Sequence, residues 1–247
     1  MWTILPIALL GWIFGAVANY LSDVLPSKRR ITQPLCLACG ASQSLINYLI
    51  FPRTCQQCGK RRSLRTWVVE VIYVLAITGI WFFPADHVNF WIGSLLLLYF
   101  GVVSIIDLEH RVILHPVSVV GVIIGAAIGI SRHGIDRTIN GGIVGFVIML
   151  LLYYLGIFVV RIRNRGNNDP TLPEEALGFG DVNLSGVLGL LLGWPAILVG
   201  ITITIFSAGA FSFVYLLVTL AAKRYHPTLA IPYGPFLVLG AIILLYF

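Results

Sequence analysis

The feature that most constrains this chain is a series of apolar stretches, most of them long enough to cross a membrane. A spanning helix needs about 20 apolar residues to cross a hydrocarbon core of about 30 Å. Hydrophobic residues make up 58% of the 247 residues and charged residues only 11%, which excludes an ordinary soluble domain. The sequence therefore predicts an all-α integral membrane protein, with residues 1–247 forming a single polytopic domain. The eight predicted spans are residues 2–22, 67–84, 89–106, 112–130, 139–160, 181–193, 195–221 and 232–247.

The sixth and eighth predicted spans are shorter than the others. An alternative with seven spans merges the sixth and the seventh into one helix. Gly193-Trp194-Pro195 interrupts the apolar run between them, and a proline in a helix interior breaks the helix, so eight spans are expected. The first stretch has neither a basic segment before it nor a clear small-residue cleavage site, and it is expected to be a retained span.

The basic residues are strongly biased toward one set of loops. Of the 16 lysines and arginines, only Arg132 and Arg137 fall outside the loops that alternate spans place on one membrane face. Cytoplasmic loops carry such an excess, so the N-terminus is expected outside and the first loop inside. The net charge of +6 is then a signal of topology and calls for no nucleic-acid partner. The cytoplasmic set is Lys28, Arg29, Arg30, Arg53, Lys60, Arg61, Arg62, Arg65, Arg111, Arg161, Arg163, Arg165, Lys223 and Arg224.

All four cysteines lie in the first predicted cytoplasmic loop, at about residues 27–66. They form two pairs, Cys36-x-x-Cys39 and Cys55-x-x-Cys58, with 15 residues between the pairs. This spacing is typical of a four-cysteine zinc site, and four thiolates in a reducing compartment hold zinc more often than they form disulfides. Four ligands close the coordination shell, so a structural zinc is expected. The alternatives are that the cysteines form a redox pair or a disulfide, or that the two pairs do not belong to one site.

Two aspartates lie where predicted spans meet cytoplasmic loops. Asp107 ends the third span, and Asp181 follows Gly178-Phe179-Gly180 at the start of the sixth. Carboxylates are costly at such positions and are therefore candidates for function. Both fall at one depth on the cytoplasmic face, where two carboxylates that share a proton could activate water as in an aspartyl protease. The glycines would let the backbone turn and let an extended substrate strand come close.

Each acidic residue also has a simpler interpretation. Asp107 could pair with Arg111 across one helical turn, and Asp181 could be an ordinary helix N-cap. Glu109 could take the place of Asp107, although a solvated loop acid is the more ordinary role. Glu70, near the inner end of the second span, could be an ion-pair partner of Arg65 or of another basic residue. The sequence alone leaves these alternatives open.

In their order along the chain, these features resemble the bacterial type IV prepilin peptidases. Gly178-Phe179-Gly180-Asp181 is similar to the GxGD signature of that family, and Asp107 lies where its first catalytic aspartate is expected. Val69-Glu70 at the start of the second span and the segment 231–236, Ile-Pro-Tyr-Gly-Pro-Phe, also match the family pattern. The four-cysteine loop after the first span completes the resemblance, which covers nearly the full length.

The resemblance implies an activity and a location. Such enzymes cut the basic leader of type IV prepilins and pseudopilins on the cytoplasmic side of the bacterial inner membrane, just before the hydrophobic stem helix. Many also methylate the new N-terminus with S-adenosylmethionine, a step for which Glu70 is the candidate residue here. The stretch from Ser44 to Phe51 lacks the acid and proline usual in the family, which leaves methylation open. The expected site comprises catalytic Asp107 and Asp181 and substrate-positioning Gly178, Gly180, Pro232 and Gly234.

Two hypotheses from other classes remain beside the peptidase. In a proton-coupled transporter Asp107 and Asp181 would relay protons, but relay acids are expected near the membrane midplane and no internal repeat is evident. A catalytically silent scaffold for pilus or secretion assembly would have no need of two acids at a membrane edge. The sequence does not name the substrate, the oligomeric state or the residues that would hold S-adenosylmethionine.

Overall fold

The computed structural model describes residues 4–36, 38–49, 53–163, 177–222 and 232–247. Within these ranges the regular structure is helical, and the only β pairing consists of two isolated bridges in the cysteine loop. The helices are α1 (Ile4–Lys28), α2 (Leu45–Leu49), α3 (Leu64–Phe82), α4 (Phe90–His110), α5 (His115–Arg163), α6 (Phe179–Leu192), α7 (Ala196–Ala221) and α8 (Gly234–Tyr246). The all-helical class predicted from the sequence is thereby confirmed.

Five helices, α1, α3, α4, α5 and α7, are long and apolar enough to cross a membrane. The chain is therefore a multi-pass membrane protein. Helices α6 and α8 are apolar but have only 14 and 13 residues. The exact number of eight crossings stays a prediction.

Helix α5 differs from the two spans predicted at residues 112–130 and 139–160. Helical structure continues from both sides up to Gly134, whose φ of 82° and ψ of 171° break the helix. The segment expected to be a loop around Arg132 and Arg137 is thus reduced to a one-residue break. Glycine alone adopts such a conformation readily, which is why the break falls there.

Helices α6 and α7 are separate, so the alternative that merges them into one helix is wrong. Gly193, with a φ of 72°, ends α6 and donates its N–H to the Gly189 carbonyl. Pro195 then lies at the N-cap of α7, where its missing N–H removes no helical hydrogen bond. The Gly-Trp-Pro corner therefore acts as the sequence predicts.

The chain divides into two compact units. Unit 1 comprises Met1–Ile106 together with Tyr246, and unit 2 comprises Asp107–Leu245 together with Phe247. In unit 1, α1 packs against α3 through glycines of α1. A Cβ atom at Gly11 would lie 2.7 Å from the Val74 Cα, and one at Gly15 would lie 2.7 Å from the Glu70 Cα. Small residues of this kind let membrane helices approach closely.

In unit 2, α6 is surrounded on most sides and packs mainly against α5. It is apolar on nearly all of its surface, as expected of a helix in the interior of a bundle. Glycines of α5 allow the two helices to approach closely on this surface. A Cβ at Gly125 would lie 2.9 Å from the Val187 carbonyl oxygen, and one at Gly145 would lie 2.6 Å from that of Ser185. This packing fixes the helix that begins at the second aspartate.

Candidate active site and metal centre

Asp107 lies in the last turn of α4, in the part of that helix that belongs to unit 2. Its side chain is only 4% exposed, and its Oδ2 accepts a hydrogen bond of 2.9 Å from the Gly234 N–H. The pairing with Arg111 considered from the sequence is not among the ion pairs of the described residues. Arg111 is instead exposed, in the turn that follows α4. Asp107 is therefore a buried carboxylate held by a backbone amide.

Asp181 lies in the first turn of α6 and is 7% exposed. The N-cap residue is Gly178, whose carbonyl accepts the Asp181 N–H at 3.0 Å, so Asp181 is not the plain N-cap that was the alternative. Its Oδ1 is buried and has no hydrogen-bond partner among the described residues. A buried polar atom without a partner is costly and is a candidate for contact with water or substrate.

The two aspartates lie close enough for the charge of Asp107 to act on Asp181. Both belong to unit 2, and neither forms an ion pair with a lysine or arginine of the described residues. Two neighbouring carboxylates without a cation repel each other when both are ionised, so the pair favours holding one proton. This arrangement can take a proton from water with one member and donate a proton with the other.

Of the glycines beside the aspartates, Gly180 and Gly234 leave no space for a side chain, whereas Gly178 does. Gly178 has an ordinary φ of −77°, so the predicted glycine turn does not depend on left-handed backbone. A Cβ at Gly180 would lie 2.8 Å from the Cβ of Ile113, and one at Gly234 would lie 2.7 Å from Asp107 Oδ2. Pro232 lies two residues before α8. The backbones of the predicted glycines therefore pack against the aspartates and their neighbours.

Tyr233 and Ile113 are parts of this region that the sequence interpretation did not single out. The charge of Asp181 acts on Tyr233, which is the N-cap residue of α8. Ile113 fills the space in front of Gly180. Tyr233 lies inside the segment 231–236 that carried part of the resemblance, so a signal was present. Ile113 carried none, because its contact depends on the fold.

The four cysteines form one cluster. The Sγ atoms of Cys36, Cys39, Cys55 and Cys58 all lie within 4.8 Å of one another. The Sγ atoms of Cys36 and Cys58 are 3.7 Å apart, and those of Cys39 and Cys55 are 3.6 Å apart. A tetrahedral zinc with bonds of about 2.3 Å places its sulfur ligands about 3.8 Å apart, so these residues fit the metal. The separations exclude disulfide bonds, and all four thiols are free.

Each cysteine pair is built as the same short turn. Gly40 and Gly59 adopt φ values of 72° and 68° and donate their N–H groups to the carbonyls of Cys36 and Cys55. Backbone N–H groups, that of Cys58 first, lower the pKa of Cys55 to about 6. Backbone N–H groups also lower the pKa of Cys36. Two thiols are thereby prepared for the thiolate form that binds metal.

Glu70, the candidate residue for methyl transfer, is buried in unit 1 beside an arginine. Its two oxygens accept hydrogen bonds of 2.8 and 3.0 Å from Arg53, and Trp12 Nε1 donates another at 3.0 Å. Glu70 is 3% exposed, Arg53 is 6% exposed, and the Arg53 guanidinium lies 4.6 Å from the Trp67 ring centroid. The ion-pair interpretation of Glu70 is correct in kind, with Arg53 as the partner that the structure shows.

A second buried carboxylate, Asp23, makes a similar connection. Arg62 forms an ion pair with it at 2.7 Å, and Arg65 and the Tyr48 hydroxyl also donate hydrogen bonds to it. Arg62 follows the second cysteine pair, and its backbone N–H bonds to the carbonyl of Arg53 at 3.2 Å. The cysteine turn is thus connected at both ends to carboxylates of α1 and α3.

Together, the apolar helices and the buried aspartate pair define a multi-pass membrane protein with a candidate hydrolytic centre. Residues 94–213 match the model of the type IV leader peptidase family. The match includes both aspartates, and it confirms the resemblance predicted from the motifs. The family match and the names of the relatives support the predicted enzyme class, prepilin peptidase.

Several relatives have names that agree with this match. The prepilin leader peptidase/N-methyltransferase of Myxococcus xanthus is 27% identical over 233 residues, covering 88% of this chain and 64% of that protein. The one of Vibrio cholerae is 21% identical over 257 residues, covering 97% and 94%. The type 4 prepilin-like proteins leader peptide-processing enzyme of Escherichia coli is 29% identical over 211 residues, covering 82% and 68%. No solved structure matches the chain significantly.

Proposed function

We propose that this protein is an aspartyl endopeptidase that removes the basic leader of type IV prepilin or pseudopilin precursors. The family match and the names of the relatives support the substrate class. The observation that carries the proposal is the pair Asp107 and Asp181, both buried, both in unit 2, and interacting without a cationic partner among the described residues. A scaffold has no use for such a pair, and the relatives' names do not favour a transporter.

The mechanism uses the one proton that the pair holds. The ionised aspartate takes a proton from a water molecule, and the resulting hydroxide attacks the scissile carbonyl carbon. The protonated aspartate gives its proton to the carbonyl oxygen, which forms a neutral tetrahedral diol. The aspartate that took the proton from water then gives it to the amide nitrogen. The other aspartate takes a proton from one hydroxyl of the diol as the C–N bond breaks, so the pair again holds one proton. The unbonded Oδ1 of Asp181 is available for the water or the substrate.

The substrate would meet this pair at the edge of the membrane. A prepilin stem is hydrophobic, so it lies in the bilayer and presents its leader at the cytoplasmic surface, the side on which the distribution of basic residues predicts the site. We assign the protein to the bacterial inner membrane, with the N-terminus outside and the aspartates facing the cytoplasm. Gly178, Gly180, Pro232 and Gly234 stay the candidates for positioning the substrate, as the family resemblance implies, although the open sides of Gly180 and Gly234 face Ile113 and Asp107.

A zinc ion held by Cys36, Cys39, Cys55 and Cys58 would have a structural role. Four thiolates complete a tetrahedral shell and leave no position for water, so the metal would supply no catalysis. It would hold the two cysteine turns together. The second turn carries Arg53 and Arg62, whose side chains bond Glu70 and Asp23. The metal would therefore support the attachment of the loop to α1 and α3.

A second candidate activity is methylation of the new N-terminus with S-adenosylmethionine. The relatives of Myxococcus xanthus and Vibrio cholerae are named as N-methyltransferases, which favours this activity. Both oxygens of Glu70 accept hydrogen bonds from Arg53 and Trp12. A contribution of Glu70 to methyl transfer would therefore be to hold this part of unit 1 in place.

Cleavage of a prepilin-like substrate by purified protein in lipid tests the proposal. The reaction contains S-adenosylmethionine, and intact mass identifies the products. Loss of the leader supports the peptidase, and a further gain of one methyl group adds the second activity. Asp136→Asn is the matched control, because Asp136 is an exposed aspartate of the same unit and should keep full activity. Absence of cleavage with folded protein and a verified substrate would refute the peptidase.

A further inference from the structure

The backbone around Gly234 is in direct contact with one of the two aspartates. The Gly234 N–H donates to Asp107 Oδ2 at 2.9 Å, and this bond joins residues 127 positions apart in the sequence. Gly234 is the first residue of α8, so its amide is also at the positive end of a helix dipole. Asp107 lies in the last turn of α4, where that helix's own dipole disfavours a negative charge. The start of α8 therefore supplies the favourable contact that α4 does not.

The surroundings of Gly234 leave no room for a side chain. A Cβ atom there would lie 2.7 Å from Asp107 Oδ2 and 3.1 Å from its Cγ, closer than atoms that are not bonded normally approach. The next residue, Pro235, has no N–H. Gly234 thus donates its N–H to the Asp107 carboxylate. The same carboxylate occupies the space where a side chain of residue 234 would lie.

The bond to Gly234 also distinguishes the oxygens of Asp107. Oδ2 accepts the hydrogen bond from the amide, which restrains the rotation of the carboxylate. The adjacent Tyr233 lies in the field of the other aspartate, Asp181. The two residues that start α8 thus reach the surroundings of both carboxylates.

We propose that Gly234 is a positioning residue of the aspartate pair, which orients Asp107 through its N–H and through the absence of a side chain. This role rests on the proposed peptidase function and differs from positioning of the substrate. A residue that positions substrate acts mainly on KM, whereas one that orients Asp107 acts on kcat. Substitution of Gly234 is therefore expected to lower kcat and to leave KM nearly unchanged.

The first test is Gly234→Ala in the lipid cleavage reaction. The added Cβ would push the Asp107 carboxylate away from the amide, so we expect kcat to fall about tenfold or more, with KM within about threefold of wild type. Gly240→Ala is the matched control, because Gly240 lies on the same helix and its Cβ would be 2.5 Å from the Gly200 carbonyl oxygen. The Gly240→Ala variant introduces a similar steric clash at a position away from the aspartates. Its kcat per folded molecule should therefore equal that of wild type.

A second variant separates the amide from the added methyl group and decides the matter if Gly234→Ala does not fold. Glycolic acid in place of Gly234, introduced by cell-free synthesis, replaces the N–H with an ester oxygen and adds no side chain. We expect a lower kcat with unchanged KM, while glycolic acid in place of Gly209, on α7, leaves kcat unchanged. Wild-type kcat in the Gly234 ester, or a change in KM alone, would overturn the proposal. If wild-type protein cleaves nothing, the peptidase function itself fails and Gly234 has no pair to position.

Discussion

The buried carboxylates of unit 1 and those of unit 2 differ in their partners. Glu70 and Asp23 are 3% and 9% exposed, and each forms an ion pair with arginine. Asp107 and Asp181 are 4% and 7% exposed, and neither has such a pair among the described residues. The four carboxylates are therefore buried to almost the same extent, but only the two of unit 1 have an arginine that compensates their charge.

This difference separates structural from chemical roles. A buried carboxylate with a bonded arginine is a fixed charge, and removing the arginine leaves that charge uncompensated. A buried carboxylate next to another carboxylate lowers the stability of the fold. Proteins retain such destabilising pairs mainly at sites where the groups carry out chemistry. Substitutions in unit 1 should therefore change stability, and substitutions of the unit 2 aspartates should change activity.

The largest expected effect is on catalysis in unit 2. Asp107→Asn and Asp181→Asn should each lower the rate of leader cleavage by at least about a thousandfold, because one carboxylate alone cannot both accept and donate the proton. The melting temperature should stay equal or rise, since the substitution removes a repulsion. Initial rates and thermal unfolding in detergent measure the two effects. A single variant that keeps full activity would remove the aspartate pair from the mechanism.

The second effect concerns the metal. Purified protein should contain about one zinc per chain, and Cys55→Ser should lose it, because three thiolates hold zinc less tightly than a closed shell of four. Elemental analysis gives the stoichiometry, and limited proteolysis of the loop shows whether the turns have opened. Asp181→Asn serves as the control and should keep its zinc. Wild-type protein without zinc, or full zinc in Cys55→Ser, would contradict the four-cysteine site.

Features set by local pattern were predictable from the sequence. The apolar runs predicted the helices, and the cysteine spacing predicted the sulfur cluster. The glycine-flanked Asp181 predicted the start of α6. The break in α5 was predicted too long, because apolar residues on both sides of Gly134 continue the helix and only the glycine interrupts it.

Contacts between distant segments could not be predicted in the same way. The bond from Gly234 to Asp107 depends on where α8 begins in space, and no sequence period encodes it. The partner of Glu70 was predicted only as a basic residue. The partner is Arg53, whose own φ is 57°. This conformation is unusual for a residue with a side chain, and the sequence does not indicate it.

The third prediction tests the buried pair of unit 1. Arg53→Ala should destabilise the protein by about 3 kcal/mol or more, because it leaves Glu70 charged and buried without its guanidinium. Glu70→Gln added to Arg53→Ala should recover part of this loss, since the uncompensated charge is gone. Arg61→Ala is the control, because Arg61 is exposed in the same turn. Equal unfolding free energies for Arg53→Ala and Arg61→Ala would show that burial of the pair does not govern stability here.

The smallest effect is expected at Asp23, where two arginines share one carboxylate. Arg62→Ala leaves Asp23 with its bond from Arg65, so the loss should be about 1 kcal/mol, well below that of Arg53→Ala. Arg62→Ala together with Arg65→Ala should cost more than the sum of the two single changes, because only the double variant strips the carboxylate of both cations. Denaturation of the three variants measures this coupling. A double variant as stable as wild type would mean that Asp23 does not depend on either arginine. Charge compensation would then no longer distinguish the carboxylates of unit 1 from those of unit 2.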